Sequence, residues 1–162
     1  MGTGQDGAIQ AGGTLSYTDN GDGTITDHNT ELVWEKKSFD GTIHDQNTIY
    51  LWLDAFAVHV AGLNGTAFAG HTDWRLPNVK ELQSMLHYEK FGGPSVSLAF
   101  HTGCVPGCTT CSCTSTSNYW SSSSIVGDPA DAWFVDFSSG TVNRDRKNQA
   151  KAIRSAPPAP PR

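Results

Sequence analysis

Residues 70–86, GHTDWRLPNVKELQSML, decide the fold of this chain. Pro77 has a fixed φ and no amide hydrogen, so it is well placed just before a helix. Asn78 can accept hydrogen bonds from the open amides of the first turn, and Glu81 can reach back to the Asn78 amide. Beyond the cap, apolar residues recur at steps of three and four, at Val79, Leu82, Met85 and Leu86. The stretch therefore predicts a capped helix with one apolar stripe turned toward a core.

Upstream of this helix, residues 15–27 have the pattern of a β-hairpin. The turn sequence DNGDG at residues 19–23 contains Asn-Gly and Asp-Gly pairs, which supply the positive φ values that tight turns need. A calcium-binding loop is the alternative interpretation. The EF-hand order is not met, because Asn29 stands where the twelfth position requires Glu. We therefore expect a hairpin and no cofactor here, with calcium as the alternative.

The same periodicities predict the other elements. Strands are expected at residues 31–37, 118–125, 132–137 and 150–154. A helix ending at Asn64 and Gly65 is indicated by an apolar stripe of Trp52, Phe56, Val60 and Leu63. His59 lies within that helix, and we expect it at the surface or at the boundary of the core. Trp120 and Trp133 are expected in the core rather than as platforms for sugar rings.

Length and composition limit the class of protein. At 162 residues the chain is expected to form one domain, residues 14–155, between a flexible lead-in of residues 1–13 and a Pro-rich tail of residues 156–162. The net charge of -5 leaves no basic field for nucleic acid, so no nucleic-acid partner is expected. No apolar run approaches the roughly 18 residues of a membrane-spanning helix, so no membrane insertion is expected.

The four cysteines lie in one short segment, at Cys104, Cys108, Cys111 and Cys113. A loop held by disulfide bonds in an oxidising compartment is our prediction, although spacing cannot choose among the three possible pairings. A zinc site is the alternative, but the single residue between Cys111 and Cys113 is closer than the usual ligand spacing. Free thiols are the third interpretation.

Several motifs occur together in an order typical of one family. They are residues 19–27, 32–34, 73–77 with 81–82, 119–122, 133–137 with Gly140, and 153–154. With them the chain resembles, from about residue 15 to 155, the DUF1566 family, that of the C-terminal domain of a Legionella collagen-like adhesin. The resemblance implies an α+β, C-type-lectin-like fold with two helices packed on short twisted antiparallel β-sheets and long loops, on secreted or cell-surface bacterial proteins.

The same resemblance implies adhesion, including binding of sulfated glycosaminoglycans. Two features of this chain depart from the family pattern. Many members carry a cysteine in the first helix and another near the end, where this chain has Val58 and Ser155. The acidic net charge also argues against glycosaminoglycan binding by this member.

No catalytic set is recognisable, so we expect no enzyme activity and no resident metal. The sequence has no G-x-S-x-G elbow, phosphate-binding loop or H-E-x-x-H motif, and its six histidines are scattered. The densest basic cluster is instead the best candidate for ligand binding, because Arg can hold a carboxylate or sulfate with two parallel hydrogen bonds. The candidate residues are Asn143, Arg144, Asp145, Arg146, Lys147 and Gln149, with Ser122, Asp128 and Asp131 on a neighbouring polar loop.

These observations favour an extracellular ligand-binding or adhesion domain that recognises a glycan or a protein receptor on a surface. The alternative is a structural subunit that assembles with copies of itself, because open strand edges and a Pro-rich tail suit contacts between chains.

Overall fold

A computed structural model describes residues 14–90 and 92–156. Over these residues the chain is a mixed α+β fold in which strands predominate. The strands are β1 Tyr17–Asp19, β2 Thr24–Asp27, β3 Val33–Glu35, β4 Lys37–Phe39, β5 Ile49–Tyr50, β6 Cys108–Cys113, β7 Asn118–Ile125, β8 Asp128–Asp136, β9 Thr141–Arg146 and β10 Lys151–Ala152. The helices are α1 Trp52–Asp54, α2 Ala61–Gly65 and α3 Val79–Gln83, with 3₁₀ turns at Phe68–Gly70 and Leu98–Phe100.

The strands form three sheets. The first has the order β1-β2-β3, the second β5-β10-β7-β8-β9 and the third β4-β6. All neighbours are antiparallel except β10 and β7, which run parallel. The last strand therefore lies inside the five-stranded sheet, between an early strand and the long β7–β8 hairpin.

The predicted N-terminal hairpin is confirmed. Strands β1 and β2 pair antiparallel, and Gly21 and Gly23 have positive φ values of 77° and 93°. Asp22 Oδ1 accepts hydrogen bonds from the amide and the hydroxyl of Thr24, at 3.0 and 2.6 Å. The turn carboxylate thus fixes the start of β2, which is the structural role that Asp has in such turns.

The capped helix is also confirmed, although α3 is only five residues long. Asn78 Oδ1 accepts from the amides of Lys80 and Glu81, both at 2.9 Å, while Glu81 Oε2 accepts from the Asn78 amide at 2.8 Å. Arg75 donates two hydrogen bonds, of 2.8 and 2.7 Å, to the same carboxylate. Glu81 therefore joins the helix cap to the strand-like segment before it.

Replacing Asn78 by Ala should lower the free energy of unfolding by about 1 kcal/mol, because two first-turn amides lose their acceptor. Urea unfolding followed by tryptophan fluorescence measures the change. Lys80→Ala, at an exposed position of the same helix, should change stability by less than about 0.5 kcal/mol. Equal effects of the two substitutions would show that the cap does not stabilise this domain.

The first helix differs from its prediction. Its centre, Ala55–Val60, is π-helical, and it joins α1 to α2 in one continuous run. The buried positions of that run are Ala55, His59 and Leu63, whereas Trp52 and Phe56 of the predicted stripe are half-buried. The prediction for His59 was therefore wrong, because its imidazole is fully buried against a carboxylate that hydrophobic periodicity cannot reveal.

Apolar clusters cover both faces of the five-stranded sheet, because neighbouring side chains of a strand point to opposite sides. On β8, Val135 lies in one cluster, together with Tyr119 of β7, while Phe134 lies in the other, together with Trp120. Trp120 is fully buried, as predicted, but Trp133 is only half-buried. The expectation that both tryptophans belong to the core is thus correct for Trp120 alone.

A buried ionic cluster lies between the sheets and the first helix. The carboxylate of Glu35 is fully buried and bonds to His44 Nδ1 at 2.9 Å, His59 Nε2 at 2.9 Å and Lys37 Nζ at 3.1 Å. Burial by itself would raise the pKa of Glu35, but the neighbouring His59 and Lys37 charges and the two histidine hydrogen bonds hold it well below its usual range. Glu35 is therefore ionised in the folded protein.

The C-terminal segment completes this cluster. The Ser155 amide donates to Glu35 Oε2 at 3.1 Å, and the Glu35 amide donates to the Ser155 carbonyl at 3.0 Å. Ala156, which we assigned to the tail, is buried and its backbone pairs with Arg75. The predicted lead-in of residues 1–13 and residues 157–162 of the predicted tail lie outside the described residues.

Candidate ligand-binding site

The predicted basic cluster lies on β9, an edge strand, and on the turn that follows it. The strand alternation separates its members. Arg144 pairs with Trp133 of β8 and Arg146 with Asp131, so these four side chains share one face of the sheet. Asp145 lies on the opposite face.

The carboxylate of Asp131 lies between the two arginines but forms no close hydrogen bond with either guanidinium group. Its Oδ2 is 4.0 Å from Arg144 Nη1 and its Oδ1 is 3.5 Å from Arg146 Nε, and Oδ1 receives no hydrogen bond from the described residues. The side chains of Arg144 and Arg146 are 55% and 67% exposed, against 13% for Asp131. The carboxylate therefore holds two guanidinium groups near each other while most of their N–H donors face solvent.

Lys147 does not contribute to this surface. Its Nζ donates to Ser124 Oγ at 2.9 Å and to the Pro129 carbonyl at 2.7 Å, and it lies 4.1 Å from the centre of a Trp52 ring. These contacts tie the turn after β9 to the β7–β8 hairpin. The ammonium group of Lys147 is therefore hydrogen-bonded within the domain, whereas the guanidinium groups of Arg144 and Arg146 are exposed.

Asp145 is likewise held within the domain. Its Oδ2 accepts from Lys151 Nζ at 2.6 Å, and that hydrogen bond, together with the Lys151 charge, lowers the pKa of Asp145. Lys151 Nζ also lies 4.8 Å from the ring centre of Trp120 and 4.5 Å from that of Phe134. The Asp145–Lys151 ion pair therefore lies against aromatic rings on the second face of the sheet, and the charge of Asp145 is already paired within the domain.

The polar loop predicted to neighbour the cluster is a pair of strands. Ser122 belongs to β7 and its amide donates to the Pro77 carbonyl at 2.8 Å, while Asp128 begins β8 opposite Ile125. The serine run and the acidic residues suggested a loop by composition, but a paired hairpin with register shifts accommodates them. Of these residues, only Asp131 is brought to the arginines.

The remaining predicted residues, Asn143 and Gln149, lie at the two ends of the predicted cluster. The Asn143 side chain accepts from the Arg144 amide at 2.8 Å, and the Gln149 carbonyl accepts from Trp120 Nε1 at 3.3 Å. Sequence reasoning missed Trp133 as a member of the exposed face. The cross-strand position opposite Arg144 is the signal that identifies it, and this requires knowledge of the register.

The cysteine prediction is confirmed and its pairing is now given. The bonds are Cys104–Cys113 and Cys108–Cys111. All four sulfurs therefore form disulfide bonds, which leaves no thiolate among them to bind zinc. Within the part of the chain that the structure describes, no group of three or more His, Cys, Asp or Glu side chains could hold a metal ion.

A concave surface lies apart from the predicted site. It is a cleft of about 290 Å³ between the β1–β2 turn, the loop after β4, the 3₁₀ turn at Phe68–Gly70 and strand β6. Residues of the short, turn-rich segments form it, and sequence periodicity gives no sign that these segments meet.

A comparison with protein families gives a match that covers most of the chain. The model of the Lcl C-terminal domain family matches residues 23–156, and the chain belongs to that family, as its motifs had indicated. Membership favours a role at a surface or in adhesion and names no ligand. No curated protein matches the chain. None of the helices described here is both long and apolar enough to cross a bilayer.

Proposed function

We propose that this protein is an extracellular adhesion domain that binds acidic groups of surface glycans through Arg144 and Arg146. The observation that carries the proposal is the pair of exposed guanidinium groups held by one poorly bonded carboxylate. Arginine is suited to planar, bidentate recognition of carboxylate and sulfate groups. Trp133 beside Arg144 adds an aromatic surface against which a sugar ring can pack.

We also propose that the fold is C-type-lectin-like. The features that support this are the two helical segments packed on small, largely antiparallel sheets and the return of the last strand into the interior of the main sheet. Two disulfide bonds support an extracellular location, because such bonds persist in oxidising compartments.

The test is a glycan and glycosaminoglycan array probed with the oxidised protein and with Arg144→Glu/Arg146→Glu. We expect the wild-type protein to bind carboxylated or sulfated glycans and the double variant to lose at least about tenfold in affinity. The control, Lys80→Glu/Lys90→Glu, makes the same change in net charge elsewhere on the surface and should bind like the wild type. A parallel array with a chelator tests calcium dependence.

Binding that survives the double charge reversal would exclude these arginines as the site. A loss shared by the control would point to net charge rather than to a defined surface. Circular dichroism of each variant shows whether it is folded, so a loss of binding can be assigned to the site.

A second candidate, a self-assembling surface subunit, is favoured by an exposed apolar ridge at the edge strand β5. Ile49, Leu51 and Leu53 are 57%, 41% and 67% exposed although their side chains are large and apolar. Sedimentation velocity over a range of concentrations separates the two candidates. A blank array together with concentration-dependent oligomers would replace the adhesion proposal with this one.

A further inference from the structure

The cleft between the β1–β2 turn and strand β6 has an aromatic wall. The ring centroids of His44 and Phe68 lie 4.4 Å apart, and those of Phe68 and Trp74 lie 5.3 Å apart. Gly23 faces the ring so closely that a Cβ atom there would lie 2.8 Å from Phe68 Cζ. Glycine at this position therefore lets the hairpin turn and the aromatic ring form one side of the cleft.

The groups that line the cleft include two carboxylates, those of Asp22 and Asp40. Asp22 and Asp40 use Oδ1 to hold their own turns, and their Oδ2 atoms receive no hydrogen bond from the residues that the structure describes. Burial would raise the pKa of Asp40, but hydrogen bonds from Thr42 and Ser38 outweigh it and lower the pKa, so this carboxylate is ionised. Each aspartate thus offers one oxygen to a donor in the cleft.

His44 connects the cleft to the buried ionic cluster. Its Nδ1 lies 2.9 Å from the ionised carboxylate of Glu35, so Nδ1 carries the hydrogen. The buried ionic cluster therefore orients the ring of a residue that lines the cleft.

The positive charge at the cleft is already neutralised. Lys36 Nζ is 2.7 Å from Asp19 Oδ2 and donates to the Thr110 carbonyl at 3.1 Å. With Lys36 paired to Asp19, the carboxylates of Asp22 and Asp40 leave the cleft with net negative charge. A carboxylate or sulfate ligand is disfavoured there, whereas a cation is favoured.

We infer that this cleft is a second binding site, which takes a ligand bearing a primary ammonium group. The ammonium donates to the free oxygens of Asp22 and Asp40, and its carbon skeleton packs on the ring of Phe68, a combination of ion pairing and apolar contact. An amino sugar and a lysine side chain share this chemistry, and both are of a size that a cleft of about 290 Å³ accepts. The inference is independent of the arginine surface, which has the opposite charge.

The test is titration of the ¹⁵N-labelled protein with D-glucosamine and with Nα-acetyl-lysinamide, followed by amide chemical shifts. At least one of the two should shift amides of the residues that line the cleft, with saturation in the millimolar range. N-acetylglucosamine, which has the same ring without the ammonium group, should bind at least about tenfold more weakly than D-glucosamine. A response to glucosamine alone assigns an amino sugar, and a response to the lysine derivative alone assigns a lysine side chain.

The variant Asp22→Asn/Asp40→Asn keeps the acceptor oxygens that hold the turns and removes both charges. It should lose about tenfold or more in affinity for the responding probe. The matched control is Asp73→Asn/Asp128→Asn, which removes two carboxylates outside the cleft lining and should bind like the wild type. Phe68→Leu tests the aromatic wall separately and should also weaken binding.

Three results would overturn the inference. They are the absence of cleft shifts with both ammonium probes, equal binding of N-acetylglucosamine and glucosamine, and unchanged binding by a folded Asp22→Asn/Asp40→Asn protein. None of them bears on the arginine surface, which the acidic glycans of the array test.

Discussion

We expect Glu35→Gln to lower the free energy of unfolding by about 3–5 kcal/mol, since removing one partner of a buried ion pair leaves the other charge uncompensated. Lys37 is 2% exposed, and its ammonium has Glu35 as its charged partner at 3.1 Å. The amide of Gln cannot replace that charge, and its NH₂ group faces donors at His59 and at the Ser155 amide. Guanidinium chloride unfolding measures the loss.

Two further variants decide whether the buried charge is responsible. Glu89→Gln changes a carboxylate that is 55% exposed and lies 3.9 Å from His87, so its effect should be below about 0.5 kcal/mol. Glu35→Gln/Lys37→Met removes both charges and should recover part of the stability. A loss below about 1 kcal/mol in the single variant would contradict the assignment of this cluster as a major source of stability.

The pH dependence has a defined sign. The folded pKa of Glu35 lies below its ordinary value of 4.5, so its stabilisation is full above that value and is lost as the pH falls through the folded pKa. Burial lowers the pKa of His59 below its ordinary 6.5, so acidification also favours the unfolded state through this residue. The wild-type protein should therefore lose stability from about pH 6.5 downward, more steeply below pH 4.5 than Glu35→Gln does.

Trp120→Ala should lower the free energy of unfolding by about 3–5 kcal/mol, because it removes a fully buried indole and leaves a cavity. The ring packs with Phe134, its Nε1 donates to the Gln149 carbonyl at 3.3 Å, and Lys151 Nζ lies 4.8 Å above it. Chemical denaturation measures this effect as well.

Trp133→Ala is the matched control for the indole. Its side chain is half-buried on the exposed face beside Arg144, so its stability cost should be about 1 kcal/mol, within the ordinary range for substitutions. Binding to acidic glycans should weaken in this variant while the protein stays folded. Similar losses of stability in the two variants would mean that Trp133 belongs to the core and not to the ligand surface.

The elements that depend on local chemistry could be predicted from the sequence. Asn78 and Glu81 form the cap that their spacing indicates, and the Asn-Gly and Asp-Gly pairs form the hairpin turn, because those interactions lie within a few residues. The disulfide bonds of the cysteine segment were predicted from its four closely spaced cysteines. Their pairing could not be, because it depends on the path of the loop.

Features that depend on distant partners could not be predicted. His59 is buried because Glu35, 24 residues earlier, accepts a hydrogen bond from it. The spacing of apolar residues carries no information about so distant a polar partner. Similarly, the basic cluster looks continuous in the sequence, but strand alternation and the contacts of Lys147 leave Arg144 and Arg146 as its exposed pair. The site therefore became definable only once the register of β8 and β9 was known.

The position of β10 has a consequence for the order of events during synthesis. This strand lies between β5 and β7, and Ser155 supplies backbone partners to the buried Glu35. A nascent chain that has emerged only as far as residue 150 holds the β7–β8–β9 hairpins but leaves β5 without its neighbour and the carboxylate with fewer donors. The core of the domain is therefore completed only after residues 151–156 have left the ribosome.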